Sequence, residues 1–271
     1  MNSTLTEQQI LANAGPFKTP DHPFLTIVIP AYNEARRLPA TLERILAYLD
    51  QQDYPAQVIV VDDGSTDDTA AVARRYDELH RRIEVIENPH QGKGATVRRG
   101  MLAAGGDIVL FSDADLSTPI EELERLLTWF DKGYDVVIGS REGAGARRYD
   151  EPFYRHLMGR VFNTVVQMLT VRGIQDTQCG FKAFRREVAR DLFTRMRLYS
   201  DNDTPVVGAM VTAFDVEILY LAQRLGYRVR EVPVEWHYSN ETKVNPLRDS
   251  WRNFRDVLTV RWNALTGEYN D

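Results

Sequence analysis

Asp113 and Asp115 stand one residue apart at the end of an apolar run, Ile108-Val109-Leu110-Phe111. Two carboxylates that close repel each other unless a cation lies between them. Oxygen ligands of this type suit a hard divalent ion, Mg2+ or Mn2+, which usually arrives with phosphate oxygens filling its other positions. Taken alone, Asp-X-Asp is also a common solvated turn. It gains weight here because other acids end other apolar runs: Glu34 after Phe24–Ile29, and Asp62 and Asp63 after Gln57–Val61. Lys93, between Gly92 and Gly94, has the backbone latitude to reach a phosphate.

These residues need elements to position them. Strands are expected at 24–29, 57–61, 83–87, 108–111 and 134–139, with helices at about 35–49, after Thr66, at 95–104 and from Pro119. Thr66 is a candidate N-cap, with Asp67 and Asp68 in the first turn. Strands alternating with helices at this spacing imply right-handed βαβ units and a mostly parallel, Rossmann-like α/β sheet flanked by helices. In such sheets ligands bind outside the carboxyl ends of the strands, so Glu34, Asp62, Asp63, Asp113 and Asp115 should converge on one edge.

Past Ser140 the pattern changes. Residues 141–150 are Gly-rich and basic and read as a mobile loop. Helices are expected at 153–171, 187–196, 215–225 and 247–265, a short strand after Gly180, and a strand from Tyr227 to Trp236. In the last helix Trp251, Phe254, Leu258, Trp262 and Leu265 share a stripe, with Arg248, Arg252, Arg255 and Arg261 around it. The expected organisation is a tail (1–23), a half that carries the acid-ended strands (24–140) and a second half of the same domain (141–271).

Composition narrows the classes. The chain has 271 residues, 43% hydrophobic, enough for one large α/β domain. A net charge of −6 argues against non-specific nucleic-acid binding, and the single cysteine, Cys179, excludes an internal disulfide. No stretch approaches the roughly 20 apolar residues of a membrane span. A cytoplasmic protein is expected, with peripheral contact at the inner face of a membrane.

The motifs together carry a resemblance. Ile-Pro-Ala-Tyr-Asn-Glu (29–34), Val-Asp-Asp-Gly-Ser-Thr-Asp (61–67), Gly92-Lys93-Gly94 and Ser-Asp-Ala-Asp (112–115) resemble the family 2 glycosyltransferases of GT-A fold. Gly139-Ser140-Arg141, Asp176–Lys182, Phe214–Glu217 and Glu231–Val234 resemble the dolichyl-phosphate β-glucosyltransferases and bacterial polyprenyl-phosphate glycosyltransferases. Two features depart from that pattern. Eukaryotic members begin with a membrane anchor, whereas a polar tail stands here, and a Ser-Lys acceptor element appears as Thr242-Lys243-Val244.

The resemblance implies an inverting, metal-dependent transfer of a sugar, glucose from UDP-glucose, to a polyprenyl phosphate. Pro30, Tyr32 and Glu34 would line the nucleoside, Asp62 or Asp63 would read the base edge, and Asp113 and Asp115 would hold the metal. Asp215 and Glu217 fall where relatives that use hydroxyl acceptors keep a base. Positions two apart on a helix do not share a face, so at most one of them points into the site, and Asp215 is the favoured one. A phosphate monoester is already a nucleophile at neutral pH, since its second pKa is about 6. It would instead need cations: Arg141, Arg147, Arg148 and Lys243, with Gln178 beside them. Cys179 reads as a packed small residue. The alternatives are the same donor chemistry on a soluble acceptor, GDP-mannose as donor, and a non-catalytic nucleotide-binding module. The helix at 153–171 and the last helix are expected to lie on an anionic membrane surface, the competing reading being a homodimer or intramolecular core contact.

Overall fold

The computed structural model describes residues 22–199, 212–238 and 246–270. Seven strands form one sheet in the order β3-β2-β1-β4-β7-β5-β8: β1 Leu25–Ala31, β2 Ala56–Asp62, β3 Ile83–Glu87, β4 Ile108–Ser112, β5 Val136–Ser140, β7 Phe181–Arg185 and β8 Val229–Pro233. The pairs β1–β2, β1–β4, β2–β3 and β5–β8 are parallel, whereas β7 runs antiparallel between β4 and β5. A two-stranded parallel ribbon joins β6 (Arg147–Tyr149) to β9 (Glu235–His237).

The central strands are apolar on both faces because helices cover both. Leu25, Ile27 and Ile29 face the layer containing Leu38, Leu42 and Ile45 of α1 (Leu38–Leu49). Val28 faces the opposite layer with Val97 and Met101 of α3 (Lys93–Ala103). The remaining helices are α2 (Thr69–Leu79), α4 (Leu123–Phe130), α5 (Phe153–Leu169), α6 (Arg186–Arg195), α7 (Phe214–Arg224) and α8 (Pro246–Thr266).

The strand expected over 227–236 breaks in two at Val234. Pro233 has no N–H to continue a ladder, and Val234 turns away by donating to the Ser140 carbonyl. Arg147 N in turn donates to the Val234 carbonyl, so the loop expected at 141–150 contains a paired strand. Thr66 is not a cap: α2 begins at Thr69, and Thr66 N donates instead to Asn33 Oδ1 at 2.8 Å. Pro119 leads into a 3-10 turn, Ile120–Glu122, before α4. Residues 1–21, including most of the expected tail, lie outside the described residues.

Candidate active site

β1, β2 and β4 all end on the same side of the sheet, which delivers Glu34, Asp62, Asp63, Asp113 and Asp115 to one crevice. Asp113 follows β4 immediately. Its amide donates to the Gly180 carbonyl at the head of antiparallel β7, and its carboxylate lies against Gly180, where a Cβ would stand 2.0 Å from Oδ2. Lys93 Nζ, at the start of α3, contacts Asp113 Oδ1 at 2.6 Å. Burial pulls the Lys93 ammonium down, yet Asp113, Asp215 and Asp115 outweigh burial and raise its pKa, so it stays a cation. Asp115 Oδ1 accepts from Ser117 N, and Leu116 between them has φ 44°, an uncommon backbone for a branched side chain.

Among the described residues no group of three His, Cys, Asp or Glu side chains could by itself hold a metal ion. Asp113 and Asp115 could supply the one or two carboxylates that Mg2+ and Mn2+ usually take from a protein, the rest of the shell coming from ligand oxygens and water. The cradle at Gly180 supports this, because it fixes the Asp113 carboxylate at the mouth of the crevice.

At the end of β2, Asp62 is buried. Its Oδ2 accepts from Ser65 N at 3.1 Å, while Oδ1 has no hydrogen-bond partner among the described residues. Asp63 is fully engaged: it accepts from Gln91 N and Gly92 N and meets His90 Nδ1 at 2.8 Å. Asp63 thus anchors the 88–92 loop, whereas Asp62 keeps an acceptor oxygen without a partner among the described residues. Tyr32 stacks on His90 with ring centroids 4.1 Å apart and planes 6° from parallel. Glu34 Oε2 meets Arg37 Nη1 at 3.2 Å, and Pro30 lies within β1 beside Val61 of β2.

On the opposite side, Asp215 opens α7 and is bound by Lys182 of β7, Nζ to Oδ1 2.5 Å, with the same Nζ donating to the Cys179 carbonyl. Lys182 is 1% exposed. Burial raises the Asp215 pKa against the pull of Lys182 and Lys93. Glu217 faces elsewhere, accepting from Arg197 N, Leu198 N and Tyr269 OH. Cys179 is buried, and burial pushes its thiol up to about 11, which leaves it inert.

The expected phosphate cations are spent on carboxylates. Arg141 makes a two-pronged bond to buried Asp176 (2.7 and 2.8 Å), which holds that carboxyl well below its usual range despite burial. Arg148 bridges Glu142 and Glu151, and Arg147 pairs with Glu235 at the surface. Gln178 N donates to Asp176 Oδ1, whereas its buried Nε2 has no partner among the described residues. Lys243 lies outside the described residues. Sequence reasoning missed His90 and the role of Lys182. The signal for Lys182 was a lysine inside the otherwise apolar Phe181–Phe184 run.

An α/β sheet with acids at its carboxyl edge and a lysine among them is the setting for nucleotide-sugar chemistry. The glycosyl transferase family 2 profile matches residues 26–193. The chain belongs to this family and is a glycosyltransferase. Within it, the chain is 38% identical over 267 residues to a dolichyl-phosphate β-glucosyltransferase of Drosophila melanogaster, covering 90% of this chain and 76% of that protein. It is 33% identical over 270 residues to the human protein of the same name, covering 90% and 77%. In fold it resembles mannosyl-3-phosphoglycerate synthase from Rubrobacter xylanophilus (TM-score 0.62, 21% identity, 92% of this chain and 76% of that one). It also resembles a mannosyltransferase from Pyrobaculum calidifontis solved with GDP-Man and Mn2+ (TM-score 0.56, 22% identity, 92% and 66%).

Proposed function

We propose that the chain moves glucose from UDP-glucose to the phosphate of a polyprenyl, dolichyl-type lipid. A phosphate oxygen attacks the anomeric carbon as the bond from that carbon to the diphosphate oxygen breaks, with inversion and release of UDP. The names of the relatives support the sugar and the acceptor class. The observation that carries the reading is the Lys182–Asp215 pair. The carboxylate expected as a general base is buried and committed to Lys182 Nζ at 2.5 Å rather than open to an acceptor hydroxyl. A hydroxyl nucleophile would need that base, whereas a phosphate arrives already ionised at neutral pH.

The residues then divide as follows. Asp62 accepts the imide N–H of the base through its buried Oδ1, with Tyr32 offering a ring face and Pro30 and Glu34 the ribose wall. Asp113 and Asp115 hold Mg2+ or Mn2+, which when bound supplies Lewis-acid neutralisation of the diphosphate. Lys93 adds a fixed positive charge where the leaving group's negative charge grows. Arg141 shapes the acceptor wall through Asp176, and Gln178 Nε2 is a buried donor for the acceptor phosphate.

The lipid has a surface to lie on. α5 and α8 pack against each other and expose Val161, Met168, Trp251, Leu258, Trp262 and Leu265, bordered by Arg255 and Arg261. Apolar side chains ringed by arginine match an anionic bilayer interface. Among the described residues no helix is long and apolar enough to cross a membrane.

The test is a transfer assay with UDP-glucose and Mn2+, offering short-chain polyprenyl phosphate beside 3-phosphoglycerate and a free sugar. Glucose appears on the lipid phosphate, and transfer confined to a soluble acceptor or to GDP-mannose as donor overturns the reading.

A further inference from the structure

His90 lies behind the base-binding ring rather than in front of it. Its imidazole covers one face of Tyr32 at 4.1 Å and 6°, so a nucleobase that stacks on Tyr32 must use the opposite face. The imidazole itself is fixed. Nδ1 is 2.8 Å from Asp63 Oδ2 and 3.0 Å from the Asp63 carbonyl, and the Asp63 side chain is buried. Backbone packing fixes it further. Gly64 has φ 64°, and a Cβ there would lie 2.7 Å from His90 N, so residues 64 and 90 approach as closely as the chain allows. The same loop continues without a break into Lys93, whose ammonium contacts Asp113. One short segment therefore carries both the backing of the base ring and the cation of the diphosphate site.

We propose that His90 is a positioning residue for the nucleotide: held by Asp63, it fixes the plane of Tyr32 on which the base stacks. The proposal rests on the donor reading above and adds a residue that the donor motifs do not contain. His90 acts through Tyr32, so its contribution should vanish when Tyr32 is removed.

The experiment is a double-mutant cycle on UDP binding, measured by calorimetry with Mn2+ present, together with steady-state kinetics and melting temperatures. His90→Ala weakens UDP and raises KM for UDP-glucose about tenfold with kcat nearly unchanged, the scale of one aromatic stack. His90→Phe, which keeps the stack, recovers most of the affinity, and His90→Asn, which keeps only a polar contact to Asp63, does not. Tyr32→Ala weakens UDP at least as much, and the double variant is no worse than Tyr32→Ala alone. Additive losses, or a His90→Ala protein that binds UDP normally while Tyr32→Ala does not, overturn the proposal and leave the donor reading standing. Normal UDP binding by Tyr32→Ala overturns both the stacking role and the proposal, and loss of UDP binding in Asp62→Asn then tests the donor crevice independently. A fall in kcat and melting temperature in His90→Ala, with UDP affinity unchanged, marks a purely structural residue and also overturns it.

Discussion

Gly180 lies so close to the Asp113 carboxylate that a single added methyl would stand 2.0 Å from Oδ2. The Asp113 carboxylate thus occupies space that only a residue without a side chain leaves open, and that residue stands at the head of the adjacent antiparallel strand. Gly180→Ala should push Asp113 out of its seat and off Lys93. Displacing a catalytic group by about 1 Å costs on the order of 100-fold in rate. Because Asp113 is partly exposed and can rotate toward water, the melting temperature should stay nearly constant. Kinetics beside calorimetry checks this, and near-normal activity would refute the seating role.

UDP should stabilise the protein only when Mn2+ or Mg2+ is present. The crevice holds Asp62, Asp113 and Asp115, which repel a diphosphate that comes without a cation. At saturating concentrations both together should raise the melting temperature by about 5 °C. An equal shift in EDTA would show that the carboxylates do not hold a metal, as would undiminished transfer by Asp115→Asn.

Lys182→Met should be severely destabilising, since it strands the buried Asp215 carboxylate. Breaking such a pair costs about 3–5 kcal/mol. The paired change Lys182→Met/Asp215→Leu should restore most of the stability, as denaturant titration would read.

With a phosphate acceptor, the acid limb of kcat/KM near pH 6 belongs to the acceptor's second ionisation, at about 6. It should therefore persist in Asp215→Asn. Disappearance of that limb would make Asp215 the base and point to a hydroxyl acceptor.

Burial raises Glu217 to about 7, with hydrogen bonds from Tyr269, Arg197 and Leu198 opposing it. A carboxyl raised above its unfolded value binds its proton more readily when folded. Its contribution is full below the ordinary carboxylate range and is lost as pH rises through about 7. Asp176, held low by Arg141, acts in the opposite sense: its contribution is present above pH 4 or so and is lost as pH falls. Glu217→Gln should flatten the decline in stability between pH 5 and 8, and an unchanged slope would exclude Glu217 as its source.

Vesicles with anionic lipid should bind the protein and shift the fluorescence of Trp251 and Trp262, 70% and 67% exposed. Binding should weaken with salt and with Arg255→Glu. Neutral vesicles binding equally well would discount the arginines, and loss of the exposed face in a homodimer would show as concentration-dependent mass.

Much of the donor side was legible because it depends on local pattern. Each acid follows an apolar run, and strands that end together bring their ends together. The long-range partners were not legible. Arg141, Arg147 and Arg148 read as free cations, since their partners Asp176, Glu235, Glu142 and Glu151 are set by the β6–β9 ribbon and the loop before β7. The stripe on α8 was visible from its spacing, but spacing cannot say which face is covered. The packed face carries Asn253, Asp256, Val257 and Val260, and the tryptophans face outward. That Asp63 is tied to the backbone of residues 91–92 while Asp62 is not needed the fold of residues 88–92.

The placement of β7 has a consequence for the order in which the enzyme comes into being. Every donor motif, from Pro30 to Asp115, leaves the ribosome before Gly180 and the strand that follows it. Until then β4 presents a bare edge, and Asp113 has neither its seat nor the carbonyl that holds its amide. A nascent chain can therefore bring the acid-ended strands together before Asp113 has its seat. The bare edge of β4 makes the same interval the one most exposed to misassembly.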